Sequence, residues 1–184
     1  MAQIDTARLV LRPIHRVAAR MLLDGKTPRG LNFAPGYPSL FSLEVMELVV
    51  DAPEPGQFGP YFIIRKEDRA ILGEIGCSVE DASDTGQCGY TVVEPCWGHG
   101  YATEALRALL AHVLTTPGIR RAIAETMVEH AASRRVMEKA GMHYCGERVD
   151  TADGASVDLV IYERLAAGID RDPEAAATTR GEAR

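Results

Sequence analysis

The chain has 184 residues, 46% of them hydrophobic and 25% charged, with 26 acidic against 20 basic side chains and a formal charge of −6. That length suits one domain with a full core, and the acidic balance argues against nucleic acid as a partner, because a phosphate-backbone binder carries a basic surplus. No apolar run approaches the roughly 20 residues of a membrane span, and the opening MAQIDTARLVLRP lacks the basic-then-apolar layout of a secretion signal, so the expected location is cytoplasmic, away from the membrane.

Arg8-Leu-Val-Leu-Arg-Pro13 sets apolar and β-branched residues between two arginines and predicts a first strand. From His15 to Asp24, Val17, Ala18, Met21 and Leu22 fall on one helical face. Gly25 to Ser39 carries three prolines and three glycines and predicts a loop or broken helix. Ser42 is the expected N-cap of a helix running to about Asp51 and ended by Pro53 and Pro55. Tyr61–Arg65, Ala70–Val79 and Gln87–Val93 read as consecutive strands, joined by the polar turns Lys66–Arg69 and Asp81–Thr85.

A helix is predicted from about Gly100 to Leu114, then a strand over Arg121–Val128. A short helix, Ala131–Ala140, is closed by Gly141 and followed by strands over Met142–Arg148 and Val157–Glu163. This order predicts an α/β fold: a mixed, mainly antiparallel sheet of about seven strands, one crossover near its middle, and about four flanking helices. After about Ala166 core-forming residues are few, so the domain is expected to span residues 1–165, with 166–184 a flexible C-terminal tail.

The four cysteines, Cys77, Cys88, Cys96 and Cys145, form no CxxC pair; the nearest histidines are His143, two before Cys145, and His99, three after Cys96. Structural metal sites favour tight ligand pairs, so no metal is expected and the thiols read as small buried hydrophobes.

The strongest local signal is Pro95-Cys-Trp-Gly-His-Gly-Tyr-Ala-Thr-Glu-Ala-Leu106, where a strand feeds through two glycines straight into a helix. Ala102, Ala105, Leu106, Leu109, Leu110 and Val113 recur at spacings of three and four, which marks the buried face. A helix start leaves backbone N–H groups unpaired and favours negative charge. Glycine supplies positive φ and removes the Cβ that would hold a phosphate away, so a pyrophosphate is the natural guest. A bare GxG is also compatible with nothing more than a tight strand-to-helix turn. A dinucleotide fingerprint fails because Thr103 stands at its third glycine, and a Walker loop is absent.

WGHGYATEAL resembles the acetyl-CoA pyrophosphate loop and following helix of the GNAT superfamily, in particular the branch of ribosomal-protein N-terminal acetyltransferases. Gly98 and Gly100 match the superfamily glycines, while Pro95 occupies its Gln/Arg position. His130-Ala-Ala-Ser-Arg-Arg-Val-Met-Glu-Lys-Ala-Gly-Met142 resembles the second signature, NxxSxRVLEKxGF: Ser133, Arg135, Val136, Glu138, Lys139 and Gly141 match, with His130 at the Asn and Met142 at the Phe. ARLVLRP resembles the branch's first strand, and the likeness runs from Ile4 to Glu163.

The resemblance implies a GNAT fold, acetyl-CoA as co-substrate without a metal, and transfer of the acetyl group to a primary amine by direct attack on the thioester. The acceptor would be a protein N-terminus or a small molecule, and homodimers are common in the superfamily. It places cofactor contacts on Trp97, Gly98, His99, Gly100, Tyr101, Ala102 and Thr103. The pantetheine arm would lie along the strand ending at Val92 and Val93, with His130 and Ser133 beside it. Where many relatives carry a tyrosine acid this chain has Met137, which cannot donate; the branch has a serine matching Ser133, to which the resemblance carries the donor role, a helix-capping or solvent-facing serine being the equal alternative. Glu125 is the first candidate base and Glu74 the second, although a strand glutamate in an acidic protein is more often simply solvated. The departures at Pro95, His130 and Met137 keep a second reading open, a non-catalytic CoA-binding regulatory module. Residues Asn32–Pro38 correspond to a substrate-side loop in relatives or to a plain connector.

Overall fold

A computed structural model of the chain describes residues 2–52, 56–80, 82–152 and 155–169. The elements are β1 (Ile4–Asp5), β2 (Leu9–Pro13), α1 (Arg16–Leu23), β3 (Asn32–Phe33), α2 (Leu40–Asp51), β4 (Phe58–Arg65), β5 (Ala70–Val79), β6 (Thr85–Val92), a 3-10 turn (Glu94–Cys96), α3 (Tyr101–Leu114), β7 (Arg121–Met127), α4 (Ala131–Lys139), β8 (His143–Ala152) and β9 (Ala155–Leu165). The chain falls into two compact units: residues 1–78 with 89–109, and residues 79–88 with those from 110 onward.

In the first unit β1, β2, β4 and β5 pair antiparallel in that order, and β3 adds a short parallel ladder, Asn32↔Ala70 and Phe33↔Ile71. The second half of β6 follows β5, with Val93 N–H donating to Leu72 O at 2.8 Å. Leu9, Leu11, Tyr61, Phe62, Ile63, Ile71 and Leu72 are fully buried. β4 and β5 bury residues on both faces, which explains why they read as near-continuous apolar runs rather than alternating ones. β4 begins at Phe58, three residues ahead of the expected start. Gly59 takes φ 111° and the register shifts between Phe58 and Tyr61, a bulge that accommodates Pro60 inside a strand.

α1 and α2 pack against each other. On α1 Leu22 is buried and Ala18 and Met21 are half-buried, as expected, but Val17 is 73% exposed and Ala19 is buried instead. On α2 the N-cap is Ser39, not Ser42. The Ser39 hydroxyl accepts from Ser42 N–H at 3.1 Å and the Ser42 hydroxyl accepts from Ser39 N–H at 3.2 Å, a reciprocal capping box in which Ser42 is the third helical residue.

In the second unit the first half of β6 runs parallel to β7, from Thr85↔Arg121 to Gln87↔Ile123. β7 pairs antiparallel with β9, and β9 with β8. The β6–α3–β7 connection is therefore the expected crossover between parallel strands. β8 and β9 extend past their expected ends, their ladder reaching Ala152↔Ala155. Among the described residues there are nine strands against about seven expected; the extra two, β1 and β3, have two residues each. The class, a mixed α/β fold with a large mixed sheet and four α-helices, matches the sequence expectation.

Ala166 N–H donates to Arg120 O at 2.9 Å and Ile169 N–H to Ala166 O at 3.2 Å; residues 170–184, most of the expected tail, lie outside the described residues. Cys77, Cys88 and Cys96 are buried free thiols and Cys145 is half-buried. No helix among the described residues is long and apolar enough to cross a membrane.

Candidate active site

β6 delivers the chain to a loop whose shape is fixed by backbone rather than by packing. Pro95 sits at the start of the 3-10 turn, where a fixed φ is an advantage and a missing N–H costs nothing. Gly98 and Gly100 adopt φ 77° and 79°. A Cβ on Gly98 would meet nothing within 4 Å, and one on Gly100 only Arg8 Nη2 at 3.5 Å. Glycine is required there by conformation, not by crowding. The first helical bond runs from Glu104 N–H to Gly100 O at 3.0 Å, so the amides just ahead of it have no intrahelical acceptor and stand at the positive end of a 14-residue helix. Trp97, Gly98, His99 and Gly100 are exposed, Tyr101 and Ala102 half-buried, and Thr103 buried. On α3 the expected inner face is present: Ala105, Leu106, Leu109, Leu110 and Val113 are fully buried.

Side chains hold this loop from behind. The Trp97 indole N–H donates to Val92 O at 2.5 Å, and His99 Nδ1 lies 2.8 Å from Trp97 O. Arg8 Nη1 donates to His99 O at 2.9 Å and Arg8 Nε to Glu104 Oε2 at 2.7 Å. Glu104 Oε1 accepts from the Thr6 hydroxyl at 2.6 Å and from Arg8 N–H at 2.8 Å. Burial pushes the Glu104 carboxyl up, but the bonds from Thr6 and Arg8 outweigh it and hold the group below the usual carboxylate range. The Tyr101 ring carries the Arg8 guanidinium 4.8 Å from its centroid and stacks on His99 at 5.7 Å. Sequence reasoning missed Thr6, Arg8 and Glu104 as loop supports. Val92 and Val93, which lead into the loop, are both buried.

Glu74 on β5 is 2% exposed. Its Oε1 accepts from the Tyr37 hydroxyl at 2.5 Å and its Oε2 from the Ser42 hydroxyl at 3.0 Å. Burial raises the carboxyl to about 7, the two hydroxyl donors only partly opposing it. The Tyr37 hydroxyl is pushed well above its ordinary range by burial and by the Glu74 charge.

In the second unit Glu125 lies on β7 with Oε2 held by Arg148, at 3.0 Å from Nε and 2.7 Å from Nη2; Arg148 also pairs with Asp150 at 2.9 Å. His130 is the N-cap of α4 without a side-chain cap bond; its Nδ1 lies 3.1 Å from the Thr126 hydroxyl. Ser133 is half-buried in the first turn of the same helix. Met137 and Ala140 are buried. α4 ends in a Schellman motif: Gly141 takes φ 85°, its N–H donates to Glu138 O at 3.0 Å, and Met142 N–H donates to Met137 O at 3.0 Å. Arg134 reaches Val128 O at 3.1 Å and the Tyr162 hydroxyl at 3.3 Å, and that hydroxyl donates to Glu138 Oε1 at 2.9 Å. The second signature thus supplies its own scaffold, with Tyr162 as a partner that spacing along the chain did not show. Among the described residues no three His, Cys, Asp or Glu side chains converge to hold a metal.

The amide-rich mouth of α3, with left-handed glycines and open space in front of Gly98, fits a diphosphate. Comparison with known proteins agrees. Residues 8–143 match the family described as "Acetyltransferase (GNAT) domain". The chain is 23% identical over 172 residues to the uncharacterized N-acetyltransferase p20 of Bacillus licheniformis, covering 90% of this chain and 97% of that one. It is 27% identical over 111 residues to the ribosomal-protein-serine acetyltransferase of Escherichia coli (strain K12), covering 59% and 62%. Its fold is similar to that of the microcin C7 self-immunity acetyltransferase MccE, solved with acetyl-CoA and AMP, at a TM-score of 0.65 and 17% identity over 87% of this chain and 93% of that one. With the loop geometry and a match over most of its length in agreement, the chain belongs to the GNAT acetyltransferase family.

Proposed function

We propose that the chain transfers the acetyl group of acetyl-CoA to a primary amine, on a protein N-terminus or a small molecule, by direct attack of the amine on the thioester. The observation that carries this reading is the loop into α3: Gly98 and Gly100 turn left-handed, and the amides ahead of the Glu104–Gly100 bond are left for a ligand. The amides of residues 98–103 would hold the diphosphate, while that of Trp97, expected among them, is given to Glu94 O at 2.9 Å. Pro95, which stands where relatives have Gln or Arg, is accounted for by its place as second residue of the 3-10 turn, and the backbone grip does not depend on its side chain.

Acetyl-CoA supplies an acyl group already activated as a thioester. The chain has three tasks: to take a proton from the ammonium form of the acceptor, to receive the charge that builds on the carbonyl oxygen, and to give a proton to the departing sulfur. We assign the first to Glu125, whose carboxylate Arg148 orients through Oε2. The last goes to Ser133, since Met137 has no proton to give. Glu74 has each oxygen committed to a hydroxyl and takes a holding role. Net, the ammonium loses two protons and gains the acetyl group: one passes through Glu125 to solvent, and the other leaves the nitrogen as the adduct collapses and replaces the proton that Ser133 gives to the sulfur, so CoA leaves as the thiol.

The test is a thiol-release assay with acetyl-CoA and a panel of serine- and alanine-initiated peptides, polyamines and aminoglycosides, run beside calorimetric titration with CoA. Release that depends on one acceptor class supports the reading and names the acceptor. Tight CoA binding with no release for any amine overturns it in favour of a regulatory module.

A further inference from the structure

Residues 34–37 form a turn held from two sides within the first unit. Ala34 N–H donates to Ile71 O at 3.1 Å and Tyr37 N–H to Ala34 O at 3.0 Å. The Tyr37 hydroxyl then reaches inward to Glu74 Oε1, and Ser42, in the first turn of α2, takes the other oxygen. Tyr37, Ser42 and Glu74 are 6%, 0% and 2% exposed. On the opposite side Gly36 adopts φ 82°, and a Cβ there would stand 3.7 Å from Pro95 Cδ and 4.0 Å from Val93 Cβ. The turn therefore lies against the residues that open the cofactor loop.

A carboxyl group so buried is expensive unless its hydrogen bonds accomplish something apolar packing would not. Apolar side chains at positions 37 and 74 would fill the same space. They would not fix the direction of a loop that otherwise has only two backbone bonds near its tip. A hydroxyl–carboxyl bond of 2.5 Å does fix direction, and it acts on a loop that touches both β5 and the entrance to the cofactor loop.

We propose that Tyr37 is a positioning residue for the acceptor: anchored on Glu74, it sets the 34–37 turn against Val93 and Pro95 and so forms the surface on which the amine is received beside the cofactor. The proposal rests on the acetyl-transfer reading, because it takes the loop at residues 32–38 as the acceptor's side. Tyr37 need not touch the substrate; it acts through the turn it holds. Losing its hydroxyl leaves the amides of residues 97–103 in place, so the defect appears in acceptor recognition and not in cofactor recognition.

The experiment uses the full chain and the amine that gives the fastest thiol release. Tyr37→Phe is expected to raise the acceptor KM about fivefold or more while leaving the acetyl-CoA KM within about twofold, a separation on the scale of a modest coupling between sites. Amide hydrogen exchange at Ala34 and Tyr37 should accelerate while exchange at residues 97–103 stays as in the parent. Gly36→Ala strains the same turn through its φ of 82° without touching Glu74, its Cβ in ordinary contact with Pro95 and Val93; it should show the same separation and keeps the test open if Tyr37→Phe fails to fold. An unchanged acceptor KM in either folded variant, or an equal rise in both KM values, overturns the proposal. If the parent chain binds CoA but acetylates no amine, the acetyl-transfer reading falls by itself. Exchange then decides: unaltered protection at Ala34 and Tyr37 in Tyr37→Phe overturns the anchoring of the turn, and faster exchange confined to it upholds it.

Discussion

Glu74→Gln isolates the free energy stored in one buried carboxyl. The group is 2% exposed, and burial lifts it from an ordinary 4.5 to about 7. Below the ordinary value the group is protonated in both folded and unfolded chains and has no net effect. Between 4.5 and 7 the folded chain keeps the proton that the unfolded chain has lost, so stability falls as pH rises. Above about 7 the deficit is complete; at about 1.4 kcal/mol per pH unit it comes to roughly 3 kcal/mol. Glutamine cannot ionise, yet its carbonyl oxygen can still accept from Tyr37 and its amide can donate to Ser42. The variant should match the parent near pH 4.5 and exceed it by up to about 3 kcal/mol at pH 8, a Tm difference of about 6–12 °C for a chain of this size. Thermal or urea melts at pH 5, 6, 7 and 8 measure this directly. A difference between the two proteins that does not change with pH, or that shrinks as pH rises, refutes the assignment of the shift to desolvation.

Gly100→Val forces a side chain into φ 79° and should weaken CoA binding by about 1–3 kcal/mol through lost amide contacts; equal calorimetric affinities for variant and parent would defeat the amide-cradle assignment. Arg8→Ala removes the donor to His99 O and the partner of Glu104, so CoA should dissociate about five- to thirtyfold faster, a cost of roughly 1–2 kcal/mol; stopped-flow displacement with an unaltered off-rate would remove Arg8 from the loop's support. Ser133→Ala should lower kcat more than it raises the acetyl-CoA KM, and identical kinetics would take Ser133 out of the mechanism.

What the sequence disclosed and what it hid divide along a physical line. Features set by neighbours along the chain were readable: the periodic face of α3, the stop at Gly141, the left-handed glycines before Tyr101. Two-residue strands such as β1 and β3 have too few residues to show a period, and both were missed. At the start of α2, Ser39 and Ser42 both satisfy the composition of a cap, and only the geometry of the 37–39 approach decides between them. Gly59 and Pro60 look like the end of a loop until the bulge they build within β4 is seen. Side-chain partners far apart in sequence left no trace at all. Nothing in spacing connects Arg8 to Glu104, 96 residues on, or Tyr37 to Glu74 and Arg148 to Glu125. The loop's backbone was therefore foreseeable, while the clamp behind it and the burial that tunes Glu74 were not.

If the loop before α3 holds the diphosphate as proposed, the Thr6–Arg8–Glu104 clamp makes the link between β1 and β2 a working part of that grip. Trimming the protein past Thr6, or fusing a bulky tag that pulls that segment aside, would release the carboxylate at the base of α3 and let the gripping loop drift, although every atom of the loop itself was still present.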